Sequence, residues 1–356
     1  MDVLDAARAL RTRAAMKLAT STLALALATA CGAAAPAAPL ASEPSTVERA
    51  SDERIQAIVD ETLRELAGQA HVRLASAVVL DPRTGQVLAM SAIDEGRADP
   101  ELPARESMGH GSVGKVFTLA AALDAGVIAP TDTFESPATY VFAGRTIRDA
   151  SHHATMTVGD VMAFSSNIGT TRIFERLGRA GYLDAMTRFH LDHRLPPEAR
   201  TDDGTAAYNA YGGGLEATSL ELAAAFAAVV NGGVYHRPWR TGDAPTEGER
   251  VLRSETAAAM RTLLEGAVAR EDATGHRARV EGHRVGGKTG TVPHGEGLTF
   301  GAFVGTLPVD DPRYVILVGV RSQSSDYSGG TLAAPAFARI AEQLMASSAD
   351  RRLPSR

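Results

Sequence analysis

The sequence predicts an α+β fold: a central antiparallel sheet with flanking helices plus a mainly helical subdomain. Three observations carry that expectation. Two strand-like runs open the folded region, helical patterning fills the middle from Ser112 to about Val234, and three strand-like runs return before a closing helix. Strands at both ends with helices between imply one sheet whose halves meet around a helical insert. No internal repeat interrupts this order.

The 356 residues suffice for one large domain or two modest ones. A composition of 44% hydrophobic and 22% charged residues is ordinary for a globular protein. The formal net charge is -6, and no block of Lys or Arg tracks along one face. Phosphate binding needs clustered cations, so no nucleic-acid partner is expected.

The chain opens on Arg8, Arg11, Arg13 and Lys17, then the apolar stretch Leu18 to Ala30. A basic head, a short apolar run and small residues make an export signal, and it is complete even from Met16. Ala28-Thr29-Ala30 lead into Cys31, the sole cysteine, so no intramolecular disulfide is possible. Small residues directly before that cysteine resemble a lipoprotein processing site, with Cys31 lipidated and the protein exported to the periplasm and tethered to the membrane through its N-terminus. The alternative is an uncleaved anchor helix, although Pro36 and Pro39 interrupt before a span of about 20 residues is reached. Residues 1–31 are therefore read as signal, lipoprotein or anchor segment. Residues 32–50, rich in Ala, Pro and Ser, are read as a flexible linker.

The folded region is expected over 51–346, with a frayed tail at 347–356. Ser51 is a plausible N-cap, and Ile55, Ile58, Val59, Leu63 and Leu66 fall at helical spacing. Leu74 to Leu80 and Gln86 to Met90 flank the turn Asp81-Pro82-Arg83-Thr84-Gly85 as a strand pair. Ser112 to Leu123 is apolar nearly all round, so that helix is expected to be buried, ending at Gly126. Further helices fit Val158 to Phe164, Ile168 to Leu177, Tyr182 to Phe189 and Ser219 to Val230. Strands fit Val285 to Thr291, Thr299 to Thr306 and Tyr314 to Val320, and a last helix fits Ala333 to Met345.

Three short motifs carry chemistry. In Ser112-Val113-Gly114-Lys115, positions i and i+3 share a helix face, so the Lys115 amine can reach the Ser112 hydroxyl. Serine is a poor nucleophile unless a base takes its proton. A free lysine, with a pKa of about 10.4, is a poor base at neutral pH, but burial and a second cation lower that value. Ser165-Ser166-Asn167 lies between two helices. There a hydroxyl and an amide can relay a proton and hold a substrate amide, or simply cap the following helix. Lys288-Thr289-Gly290-Thr291 reads as a strand approached closely by another backbone. Alternation puts Lys288 and Gly290 on one face and Thr289 on the other. Lys288 can supply the second cation and attract a carboxylate, and the Thr291 and Ser112 N–H groups can form an oxyanion hole. The scattered pairs His152-His153, His190 with His193, and His276 with His283 lack the spacing of a zinc motif. No cofactor is implied. Glu221 is expected to face out from its helix.

The motif triplet, in this order and in these contexts, resembles the signature of penicillin-binding proteins and related β-lactamases. The segment Ala77 to Met90 is similar to the opening hairpin of class B penicillin-binding transpeptidases. Tyr211-Gly212-Gly213-Gly214 through Ala223 resembles the run into their long helix, and Phe303-Val304-Gly305 with Pro308 to Tyr314 resembles their late strand and turn. The resemblance covers about Leu74 to Met345. It implies the penicillin-recognising fold, shared with serine β-lactamases. It also implies acylation of Ser112 by a D-alanyl-D-alanine stem peptide with loss of the last D-alanine, and β-lactams as covalent inhibitors. By the same resemblance Lys115 is the general base, Ser165 and Asn167 shuttle protons and position the peptide, and Lys288 and Thr289 hold the substrate carboxylate.

Two features depart from the family pattern. Gly109-His110-Gly111 stands where a Pro-Gly is usual, and the plain reading of His110 is a turn residue. One helix and a tether precede the first strand where class B members carry a sizeable pedestal, so membership of a division or elongation complex is not expected. A serine β-lactamase is the first alternative. However, no Glu-x-x-Leu-Asn pattern lies between Asn167 and Lys288, and the second motif ends in Asn167 where class D enzymes usually have Val. A non-catalytic sensor of cell-wall peptides or β-lactams is the second alternative.

Overall fold

The computed structural model describes residues 46–240, 247–295, 297–323 and 329–350. The expected signal segment, Cys31 and the linker up to residue 45 lie outside them.

Helix α1 spans Thr46–Ala67, so it begins five residues before the expected cap, and residues 46–50 are helix, not linker. Ile55, Ile58, Val59, Leu63 and Leu66 are all buried, as the helical spacing predicts. Five strands follow the expected positions: β1 (Val72–Leu80), β2 (Val87–Asp94), β3 (Gly286–Pro293), β4 (Thr299–Leu307) and β5 (Tyr314–Ser322). They lie in the order β3-β4-β5-β1-β2, with the two-residue strand Arg97–Ala98 at the outer edge, and every pairing is antiparallel. The halves join where β1 meets β5, from Leu74 opposite Arg321 to Leu80 opposite Val315.

Both faces of this sheet are covered, which is why β1 is apolar almost throughout. Successive strand side chains point to opposite faces. Leu74, Val78 and Leu80 join one core with Val87, Met90 and the helical region. Ala75, Ala77 and Val79 join a second core with α1 and the closing helix α8, Ala334–Asp350. The closing helix thus runs past the expected end at Met345. Ser347, expected in the frayed tail, is buried, and its hydroxyl donates to Leu344 O at 2.9 Å.

The insert supplies α2 (Lys115–Asp124), α3 (Val158–Ala163), α4 (Asn167–Arg188), α5 (Asp203–Ala210), α6 (Ser219–Val230) and α7 (Ser254–Ala269). Every residue from Lys115 to Leu123 is buried, as the all-round apolar pattern predicts. The two helices expected between Ile168 and Phe189 abut within α4, divided by Gly178 at φ 73° and ψ 159°. Glu221 does not face out. Its carboxylate closes a capping box by accepting from the Thr218 N–H at 2.9 Å, and it also takes the Arg194 guanidinium. Among the described residues no helix is long and apolar enough to cross a membrane.

Candidate active site

Ser112 sits on a 3₁₀ turn, Gly111–Gly114, that leads directly into α2. Residues i and i+3 eclipse in a 3₁₀ turn, which sets Lys115 beneath Ser112 more closely than an α-helix would. The Lys115 Nζ lies 2.5 Å from Ser112 Oγ, 2.8 Å from Asn167 Oδ1 and 3.0 Å from Tyr211 O. The side chain is fully buried. Burial pushes its amine down to about 7, against a smaller opposing pull from the Asp149 carboxylate.

The turn between α3 and α4 divides its labour. Ser166 is the helix cap, its Oγ accepting from the Gly169 N–H at 2.8 Å. Ser165 is held at φ 60°, a conformation rare outside glycine, and its Oγ accepts from Lys288 Nζ at 2.8 Å. Asn167 turns its amide oxygen to Lys115. The capping use thus falls to Ser166, and Ser165 and Asn167 are left facing the two lysines.

Asp149 fixes this turn. One carboxylate oxygen accepts from the Asn167 and Ile168 N–H groups at 2.5 and 3.0 Å. The other accepts from the hydroxyls of Ser166 and Ser136 at 2.6 and 3.1 Å. A carboxylate at a helix N-terminus is favoured by the helix dipole as well. Asp149 was not among the expected site residues, nor was the Tyr211 carbonyl.

Lys288 projects from β3, its Nζ also 3.0 Å from Thr289 O, and it is fully buried. Burial first, and then the nearby Lys115, hold its amine well below the ordinary lysine value. Thr289 lies on the other face, donating its hydroxyl to Thr274 Oγ1 at 2.9 Å. A Cβ at Gly290 would lie 1.8 Å from His110 O, so only glycine lets β3 approach the turn that carries Ser112. The Thr291 Oγ1 accepts from the Gly329 N–H at 3.2 Å.

Ser112, Ser165, Asn167, Thr289, Gly290 and Thr291 line one cavity of about 400 Å³, with the two lysines buried behind it. A larger cavity, about 1020 Å³ between α1 and β2, holds none of these groups. His110 is buried beside the turn. Its Nδ1 is 2.8 Å from Met108 O and its Nε2 3.2 Å from Ser219 Oγ, and burial pushes the imidazole down to about 4. Both nitrogens are committed to structure, so the plain turn reading holds. His193 pairs with Glu221 and His190 with Glu249. Among the described residues no cluster of three His, Cys, Asp or Glu could hold a metal ion.

Residues 75–342 match the family model of the penicillin binding protein transpeptidase domain. The chain is 32% identical over 354 residues to penicillin-binding protein PbpB of Mycolicibacterium smegmatis, covering 85% of this chain and 54% of that protein. It is 31% identical over 341 residues to the probable peptidoglycan D,D-transpeptidase FtsI of Caulobacter vibrioides, covering 82% and 57%. The chain thus spans about half the length of these curated relatives. Among solved structures, the transpeptidase domain of Burkholderia pseudomallei penicillin-binding protein 3 is 29% identical with a TM-score of 0.75, covering 83% of this chain and 95% of that one.

Proposed function

The chain belongs to the penicillin binding protein transpeptidase family, and from that membership we propose that it is a peptidoglycan D,D-transpeptidase acting through an acyl-enzyme on Ser112. The neutral Lys115 amine takes the Ser112 proton as Oγ attacks the carbonyl carbon of the penultimate D-alanine. The oxyanion that forms accepts from the Ser112 and Thr291 N–H groups. When the peptide bond breaks, the departing D-alanine nitrogen takes a proton from the Ser165 hydroxyl, and the proton that Lys115 drew from Ser112 makes good that loss, with Lys288 Nζ steadying the Ser165 oxygen from 2.8 Å. The ester on Ser112 then passes to an amine acceptor, or to water in a carboxypeptidase turnover. Asn167 holds the donor amide and Thr289 meets its carboxylate. The observation that carries this reading is the 2.5 Å contact between a hydroxyl and a buried lysine whose pKa is near neutrality.

A β-lactam opens on the same serine. No carboxylate among the described residues lines the cavity to activate a deacylating water, which favours a long-lived adduct over hydrolysis. The test is intact-protein mass after incubation with benzylpenicillin, beside Ser112→Ala. A lasting adduct on the parent alone supports the reading. Consumption of penicillin through a transient adduct would make the protein a β-lactamase, and no adduct on the folded parent would leave it a binding protein. Export to the periplasm with a lipid on Cys31 completes the proposal. Its basis is the small-residue run before that cysteine, and palmitate labelling lost in Cys31→Ser is its test.

A further inference from the structure

Among the described residues that line the cavity opening onto Ser112, one cation is left unused by the steps above, Arg277. It stands exposed on the short turn His276–Ala278. Its neighbours along the chain are all neutralised: Arg270 by Asp160 and Asp272, Arg279 by Glu271, Arg284 by Glu265. Arg277 has no hydrogen bond or ion pair among the described residues. Its segment is fastened to β3, because Thr274 accepts the Thr289 hydroxyl and lines the same cavity.

The two lysines do not offer the cavity an open positive charge. Lys115 is spent on Ser112, Asn167 and Tyr211, and Lys288 on Ser165 and Thr289, and both are fully buried. A donor whose terminal carboxylate enters beside Thr289 still needs a full, solvent-facing cation. A guanidinium suits the task, since it stays charged and meets a carboxylate with two parallel N–H donors. We propose that Arg277 is the residue that pairs with the donor's terminal carboxylate, holding it against Thr289 while Ser112 is acylated. This rests on the acyl-transfer reading and adds a specificity determinant to it.

The test compares second-order acylation rates for benzylpenicillin and its methyl ester, which differ in that carboxylate alone. The full chain, Arg277→Ala and Arg277→Lys are measured in parallel. Arg277→Ala is expected to slow the acid roughly 10-fold or more while leaving the ester unchanged. Arg277→Lys should restore part of the loss, and the parent's preference for the acid should shrink as salt rises. An equal loss for acid and ester, or no loss, overturns the assignment while the acyl-enzyme stands. A parent that reacts with neither compound overturns the acyl-transfer reading itself, and this proposal with it.

Discussion

In the proposed acylation Lys115 can serve as the base only when its amine is neutral. Burial lowers its pKa to about 7, so acylation should climb as pH rises through about 7 and level off above it. A rate profile of penicillin acylation from about pH 5 to about pH 9 checks this, and a flat profile would count against Lys115. The same group links folding to pH. Between about 7 and 10.5 the unfolded chain holds a proton on Lys115 that the folded chain lacks, so this residue's contribution makes the fold more stable as pH rises across that window. Asp149→Ala removes an acceptor from two hydroxyls and two N–H groups. It should cost about 2 kcal/mol or more in urea unfolding and slow acylation by loosening the turn that holds Ser165 and Asn167, whereas Asp149→Asn should retain part of both. At this scale the sequence was readable where chemistry is local. Ser112 and Lys115 are three positions apart, and the Ser-Ser-Asn turn is one short run. Asp149 and the Tyr211 carbonyl reach the site across 18 and 96 positions of chain, and no local pattern marks such a pairing.

At the scale of the element, Gly178 is the joint in α4. Its φ of 73° with ψ of 159° belongs to a region that only glycine occupies at ease. Gly178→Ala is expected to destabilise the protein by roughly 1–3 kcal/mol. Gly266, inside α7 with open space where a Cβ would go, should respond in the opposite sense, Gly266→Ala stabilising by about 0.5–1 kcal/mol. Denaturant midpoints for the two variants separate these outcomes. α7 was not among the expected helices although Met260, Leu263, Leu264 and Val268 are buried along it, because the alanines Ala257, Ala258 and Ala259 blur its first turns and leave the apolar period short. The pairing of Thr133–Glu135 with Thr155–Thr157 escaped because three residues are too few for alternation to register. α2, α6 and the five sheet strands were legible because their long apolar runs admit few other folds.

For the molecule as a whole, the sheet and its two covers form one cooperative structure, and α1 belongs to it. A chain started at Gln69 would strip Ile55, Ile58, Val59, Leu63 and Leu66 from the second core. At roughly 1.5–3 kcal/mol for each buried side chain, that loss is comparable to the whole stability of an ordinary domain, about 5–15 kcal/mol. A chain started at Thr46 should melt cooperatively and take up penicillin, and one started at Gln69 should be recovered unfolded or aggregated. The seam between β1 and β5 also has a consequence in time. Val78 must wait for Leu317, about 240 residues later in the chain. At a synthesis rate of about 5–20 residues per second, one edge of β1 stands unpaired for roughly 12–48 s. Through that interval an apolar strand is open to any passing chain, and Lys288 has yet to reach Ser165. Covalent capture of a fluorescent penicillin would thus serve as a clock for the final closure, lighting only when the last-made strands have found the first.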